Sequence, residues 1–210
     1  AEGADQRARG GEAGVRHAAD ACTALRVLLA PMLAWELGLP RTTVGWIPFG
    51  IYLAAAATDY VDGALARSAG TASRRGRVFD HGADALLLFP SFLVLAGYGR
   101  VPWVLPAAAM AAFGLYVLDG WRRAGSLSTI ELTGSRSGAV GGVLNYVLAG
   151  AASAAVALDR AGVDAVIYAA AFGVAAVNGA AAIERLSGLV TTAPGSLAAR
   201  REPRASRSSP

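Results

Sequence analysis

The sequence predicts an all-α integral membrane protein, a six-transmembrane-helix bundle with both termini on the cytoplasmic side. Three observations predict it. Of 210 residues, 54% are hydrophobic and only 16% charged, where a soluble domain carries about 25% charged residues. Six apolar stretches, most of them near the ~20 residues that cross a bilayer as a helix, lie at roughly 22–38, 44–66, 79–98, 102–120, 138–158 and 163–186. Finally, all nineteen cationic residues are arginine. With both termini inside, sixteen of them fall on the cytoplasmic side and only Arg41, Arg100 and Arg160 fall outside, the asymmetry of the positive-inside rule.

Taken in order, residues 1–20 are polar and arginine-bearing, an N-terminal segment expected to be flexible or interfacial. The first apolar stretch follows a basic segment, as a signal peptide would. It exits through Trp35-Glu36-Leu37-Gly38-Leu39-Pro40, without a small-residue cleavage pattern, and reads as a retained span. The second and third stretches carry four aspartates on facing turns. The fourth ends in Arg122 and Arg123, the fifth starts after Ser135-Arg136-Ser137-Gly138, and the sixth carries Asn178. Pro90 is expected to kink the third span. Trp46 and Trp103 are expected in the outer aromatic belt and Trp121 in the inner one. The abundant Ala and Gly suit helices whose backbones approach closely. Residues 188–210, rich in Arg, Ser and Pro, are expected to be a disordered cytoplasmic tail. The chain thus divides into segment 1–20, a six-span domain over 21–187 and the tail.

The acids carry the functional argument. Asp59 and Asp62 are i, i+3 and Asp80 and Asp84 are i, i+4, so each pair projects from one side of its helix. A carboxylate in a membrane costs several kcal/mol unless paired or metal-bound, and four together require cations. Asp59, Asp62, Gly63 and Ala66 form one stripe in which the small residues leave room for a ligand against the backbone. Asp59 is about 12 Å from Arg67 along the helix, which places the cluster in the inner leaflet. A linking loop from Ser68 to Val78 brings Arg74, Arg75 and Arg77 to anionic headgroups, and the third helix is expected to start near Phe79. An oxygen-only donor set favours Mg²⁺ or Mn²⁺. Three or four carboxylates can hold two such ions about 3.5–4 Å apart, the clamp used in phosphoryl displacement.

Asp59, Asp62, Gly63, Ala66, Arg67, Gly76, Asp80 and Asp84 fit every fixed position of Asp-x2-Asp-Gly-x2-Ala-Arg-x8-Gly-x3-Asp-x3-Asp, and the chain therefore resembles the CDP-alcohol phosphatidyltransferase family. Thr23-Ala24-Leu25-Arg26 is similar to the family's motif entering the first span. The resemblance implies transfer of the phosphatidyl group of CDP-diacylglycerol to a small alcohol with release of CMP, in phospholipid biosynthesis. It implies that Asp59, Asp62 and Asp80 ligate two metal ions, and that Asp84 contacts a metal and is the catalytic base on the acceptor hydroxyl. Asp62, Gly63, Ala66, Arg67 and Gly76 would hold the cytidine nucleotide. It implies a homodimer in a prokaryotic cell membrane, with membrane lipids around it and the site facing the cytoplasm. His81 and Ala85 are untypical of the glycerol-phosphate branch.

The acceptor site is expected at Arg136, Arg122, Arg123 and Asn145, with Tyr146 and Asn178 nearby; an arginine cluster suits a phosphorylated acceptor such as glycerol 3-phosphate or an inositol phosphate. Serine or inositol, or another CDP-linked donor, is the alternative within the class. The lone Cys22 excludes a disulfide framework, and His17 and His81 do not make a histidine metal site. A net charge of +4 in so apolar a chain reads as membrane-surface attraction and not as nucleic-acid binding. A divalent-cation transporter, the rival of another class, needs polar residues through to the outer face, and Ile47 to Ala57 and Leu86 to Leu95 are almost wholly apolar.

Overall fold

The computed structural model describes residues 21–68, 74–124 and 135–191, the side chains at 62, 65–68, 74–80, 124 and 191 excepted. Segment 1–20 lies outside these described residues, as does the expected tail from 192 onward. Every regular element among them is a helix: α1 (Ala21–Gly38), α2 (Arg41–Val44), α3 (Ile47–Ser68), α4 (Arg74–Gly97), α5 (Val104–Ala124), α6 (Arg136–Leu158) and α7 (Ala161–Thr191). Four are long and apolar enough to cross a membrane: α1, α5, α6 and α7. Among the described residues, α3 and α4 carry shorter apolar stretches, Ile47–Val61 and His81–Gly97.

Local chemistry sets the helix ends. Ser135 caps α6, its Oγ accepting from the Gly138 N–H at 3.1 Å, which satisfies one of the orphan donors of the first turn. At the other end Asp159 adopts the left-handed conformation, φ 45°, and its N–H returns to the Ala155 carbonyl. α4 closes in a Schellman-type turn around Gly99, φ 67°, with Arg100 N–H to Leu95 O at 2.8 Å and Gly99 N–H to Ala96 O at 3.0 Å. Inside α4, Pro90 does not end the helix.

Three expectations are corrected. The helix holding Asp80 and Asp84 begins at Arg74, five residues before Phe79, so Arg74, Arg75 and Arg77 are helical and Ser68 closes α3. Apolar windows miss these turns because arginine is a good helix former without being hydrophobic. The short α2 was not foreseen, and α7 continues to Thr191, inside the expected tail.

α7 packs most extensively on α5 and α6, and α3 lies against α6. Fully or nearly fully buried Leu33 and Leu37 of α1, Leu87, Phe92 and Leu95 of α4, Leu105 of α5 and Val156 of α6 form the core. Helix ends remote from the acids are tied together. Arg100 donates to the Leu37 carbonyl at 2.8 Å, and Arg41 reaches Asp159 at 3.1 Å and Asp164 at 2.8 Å. Chain direction therefore alternates, and the site ends of α1, α3, α4, α5, α6 and α7 gather at the opposite end.

Candidate functional site

Asp59 of α3 and Asp84 of α4 come together around a third helix. Arg26 of α1, with no solvent exposure, places Nη2 2.9 Å from Asp59 Oδ1 and Nη1 3.3 Å from Asp84 Oδ1. A guanidinium buried in this way needs carboxylates to meet its charge, and its planar fork suits two of them. The Tyr146 hydroxyl of α6 donates to the same Asp84 Oδ1, and the Tyr52 hydroxyl of α3 donates to the Tyr146 carbonyl at 2.7 Å. Asp84 is therefore oriented from two sides, by α1 and by α6.

Both acids line a cavity of about 570 Å³. Beside them sits a reciprocal amide pair, Asn145 Nδ2 to Asn178 Oδ1 at 3.1 Å and Asn178 Nδ2 to Asn145 Oδ1 at 2.9 Å. The lining also includes His81, Tyr116, Ser135 and Arg185. Arg185 is nearly buried; its guanidinium lies 4.5 Å from the Tyr116 ring centroid, and Nη1 is 3.3 Å from Asp119 Oδ2. The His81 ring meets Tyr116 edge to face at 5.6 Å. Apolar Leu88, Phe89 and Phe113 complete the lining. One cavity thus holds two carboxylates and the Arg185 guanidinium in its lining, groups that suit a small polar molecule with an anionic end.

Of the residues singled out from the sequence, Asp59, Asp84, Asn145, Tyr146, Asn178, Ser135 and Gly138 line this space. Gly63 is half-buried one turn beyond Asp59. Asp62, Ala66 and Arg67 take their places on α3, and Gly76 and Asp80 on α4, but these residues' side chains lie outside the description. Among the described residues no three of His, Cys, Asp or Glu form a group that would hold a metal. The described acids, Asp59 and Asp84, offer oxygen donors only, which fits a hard divalent ion. Arg122, Arg123 and Arg136 are exposed and outside the cavity lining, and Arg123 is engaged with Asp119.

Arg26, Asp119, Tyr116 and Arg185 escaped the sequence reading as site residues. Arg26 and Arg185 were counted as cytoplasmic anchors and are buried instead; removing them from that group leaves the asymmetry of the remaining arginines intact. Asp119 had a legible signal, an acid inside an apolar run with arginine four residues on.

A family model described as CDP-alcohol phosphatidyltransferase matches residues 16–181. Similar relatives include two named CDP-diacylglycerol–glycerol-3-phosphate 3-phosphatidyltransferase. That of Cereibacter sphaeroides is 31% identical over 102 residues, 48% of this chain and 46% of that protein. That of Escherichia coli K12 is 37% identical over 94 residues, 43% of this chain and 50% of that protein. The matched part of the chain thus spans about half the length of these curated relatives.

Proposed function

Since the chain belongs to the CDP-alcohol phosphatidyltransferase family, we propose that it transfers the phosphatidyl group of CDP-diacylglycerol to a small alcohol, releasing CMP. The observation that carries this reading is the meeting of Asp59 and Asp84, from separate helices, in the lining of a cavity that also holds Arg185. Phosphoryl transfer asks little of a protein beyond positioning and charge stabilisation, and these groups offer both.

The acceptor hydroxyl sits against Asp84, which takes its proton as the oxygen bonds to the β-phosphorus. The bond from that phosphorus to the bridging oxygen breaks, and CMP leaves with the electron pair. Arg26 and Tyr146 hold Asp84 in register for the proton. Asp62, Gly63, Ala66, Arg67 and Gly76 bind the nucleotide. Asp59, Asp62, Asp80 and Asp84 would hold two divalent ions, Mg²⁺ or Mn²⁺, whose chemistry is to offset the diphosphate charge. The acceptor's own anionic group faces Arg185, and its remaining hydroxyls face Asn145. The name of the relatives makes glycerol 3-phosphate the first candidate. Arg122, Arg123 and Arg136 then serve at the rim.

The reading includes six spans, with α3 and α4 crossing alongside the four more apolar helices, both termini and the site facing the cytoplasm of a prokaryotic cell, and a homodimer. The lipid tails remain in the bilayer.

The test is CMP release by purified protein given CDP-diacylglycerol, Mg²⁺ or Mn²⁺, and glycerol 3-phosphate, inositol phosphate, inositol or serine. One acceptor should support release, a chelator should abolish it and added metal restore it. Asp84→Asn should lower the rate at least about 10²-fold, the usual scale for a general base. A folded, metal-supplied protein silent across the panel would overturn the assignment.

A further inference from the structure

A second concavity, of about 710 Å³, runs between α1 and α4 and shares no residue with the cavity that holds the acids. α1 contributes Ala30, Ala34 and Gly38, and α4 contributes Pro90, Val94 and Tyr98, each set at i, i+4 and i+8 and so on one side of its helix. Along α1 the lining extends from Val27 to Leu39, about 18 Å of helix. That is close to the depth of one leaflet, half of a hydrocarbon core about 30 Å thick. Trp35, Leu86 and Tyr98 of this lining are all exposed, so the groove is open to its surroundings. At its end remote from the acids stands Arg100, half-buried, its guanidinium carbon 5.6 Å from the Tyr98 ring centroid. Nη1 donates to the Leu37 carbonyl at 2.8 Å. Nε and Nη2, the parallel donors with which an arginine grips a phosphate, have no partner among the described residues. The neighbouring acids are engaged elsewhere, since Asp159 and Asp164 both bind Arg41. Burial and the nearby Arg41 accordingly lower the Arg100 pKa, against the pull of Asp164.

We propose that the α1–α4 groove binds an anionic phospholipid, with the phosphate on Nε and Nη2 of Arg100 and one acyl chain lying along Val94, Pro90 and Ala34. A cation without an ion-pair partner at the mouth of an apolar groove one leaflet long matches that molecule at both ends. A second copy of the chain matches it at one end only: no acid lines the groove, so the same face of another copy brings Arg100 no counter-charge. The bound lipid braces α1 against α4, the helices that carry Arg26 and Asp84. The inference rests on the reading that α1 and α4 cross the membrane, and not on the reaction assigned to the acids.

The test needs no turnover. The full chain in detergent is titrated with dioleoyl phosphatidylglycerol or dioleoyl phosphatidylcholine, and bound lipid is counted by native mass spectrometry. Phosphatidylglycerol should bind saturably and about tenfold more tightly than phosphatidylcholine, the scale of one charge-assisted contact. Arg100→Gln, whose amide can still donate to the Leu37 carbonyl, should erase that preference, and Arg100→Lys should keep most of it. Ala34→Phe fills the groove and leaves Arg100 in place, so it should weaken both lipids about tenfold. Equal binding of the two lipids by the wild type overturns the proposal, as does a preference that survives Arg100→Gln or binding that ignores Ala34→Phe. Displacement of phosphatidylglycerol by CDP and Mg²⁺, which have no acyl chain, also overturns it, by placing the lipid among the acids. So does a disulfide formed between two copies in membranes by Ala34→Cys in a Cys22→Ala chain, which gives the groove to a second copy. Should Ala34→Phe fail to fold, the two Arg100 variants decide. A protein silent in CMP release that still shows this lipid preference defeats the proposed function alone; an active one without the preference defeats this inference alone.

Discussion

Arg26 meets its charge entirely inside the protein, with Asp59 and Asp84 as its carboxylate partners. Removing one member of a buried ion pair costs about 3–5 kcal/mol; because Asp59 is 41% exposed, Arg26→Ala should fall near the low end, about 3 kcal/mol. Thermal unfolding in detergent with chelator present measures this without interference from metal, and a loss below about 1 kcal/mol would show that no such bridge exists. Arg26→Lys should lie between, one ammonium being unable to fork. The Asn145–Asn178 pair makes a second residue-scale prediction. Asn145→Leu or Asn178→Leu alone strands a buried amide and should cost about 1–3 kcal/mol, whereas the double variant should cost much less than the sum. An additive double-mutant cycle would deny the coupling. At this scale the sequence revealed the acids, because i, i+3 and i, i+4 spacing is local. It did not reveal Arg26 as their partner, since that contact joins residues 58 apart in the chain and an arginine near a span end reads as an anchor.

Among the elements, α3 and α6 meet at Gly150, where the Tyr52 ring lies over the α6 backbone. A Cβ there would lie 2.5 Å from Tyr52 Cε1 and 2.8 Å from Cζ, distances that real Cβ contacts do not reach. Gly150→Ala must therefore push back a ring that is nearly buried and bonded to the Tyr146 carbonyl. Overpacking of this kind costs about 1–3 kcal/mol. Here the displaced ring also supports the turn that carries Tyr146 to Asp84, so CMP release should fall with stability. In a Tyr52→Ala background the same substitution should be nearly neutral, and a full cost there would place the clash elsewhere. Apolar runs located all six long helices in the sequence but misjudged their polar ends. Arg74 to Val78 and Ser187 to Thr191 lie beyond the runs, and helix propensity and tertiary contact decide them.

Across the whole molecule, alternating chain direction gathers the site ends of six helices at one end and leaves Thr42 and Arg160, both exposed, at the other. If all six cross, a membrane-impermeant maleimide applied to intact cells should label Thr42→Cys and Arg160→Cys in a Cys22→Ala chain. It should reach Arg122→Cys only after permeabilisation. Labelling of 122 and 42 from the same side would break the six-span topology. The arginine count carried that topology in the sequence, as a global asymmetry that tolerates the misreading of Arg26 and Arg185. The cavity was not legible, because its lining is assembled from α3, α4, α5, α6 and α7 at once.

The ties at Arg41 and Arg100 are remote from Asp59 and Asp84, yet they act on these acids as a fulcrum does on a long arm. Twelve or thirteen helical residues separate them from the acids, a reach of about 18–20 Å. A pivot of about 6° at that distance carries a carboxylate about 2 Å, enough to part Arg26 from Asp59 or Asp84. The aperture between the two acids is thus governed by angle, from the opposite end of the helix bundle. Damage to that fulcrum would register as lost catalytic alignment long before it registered as lost fold.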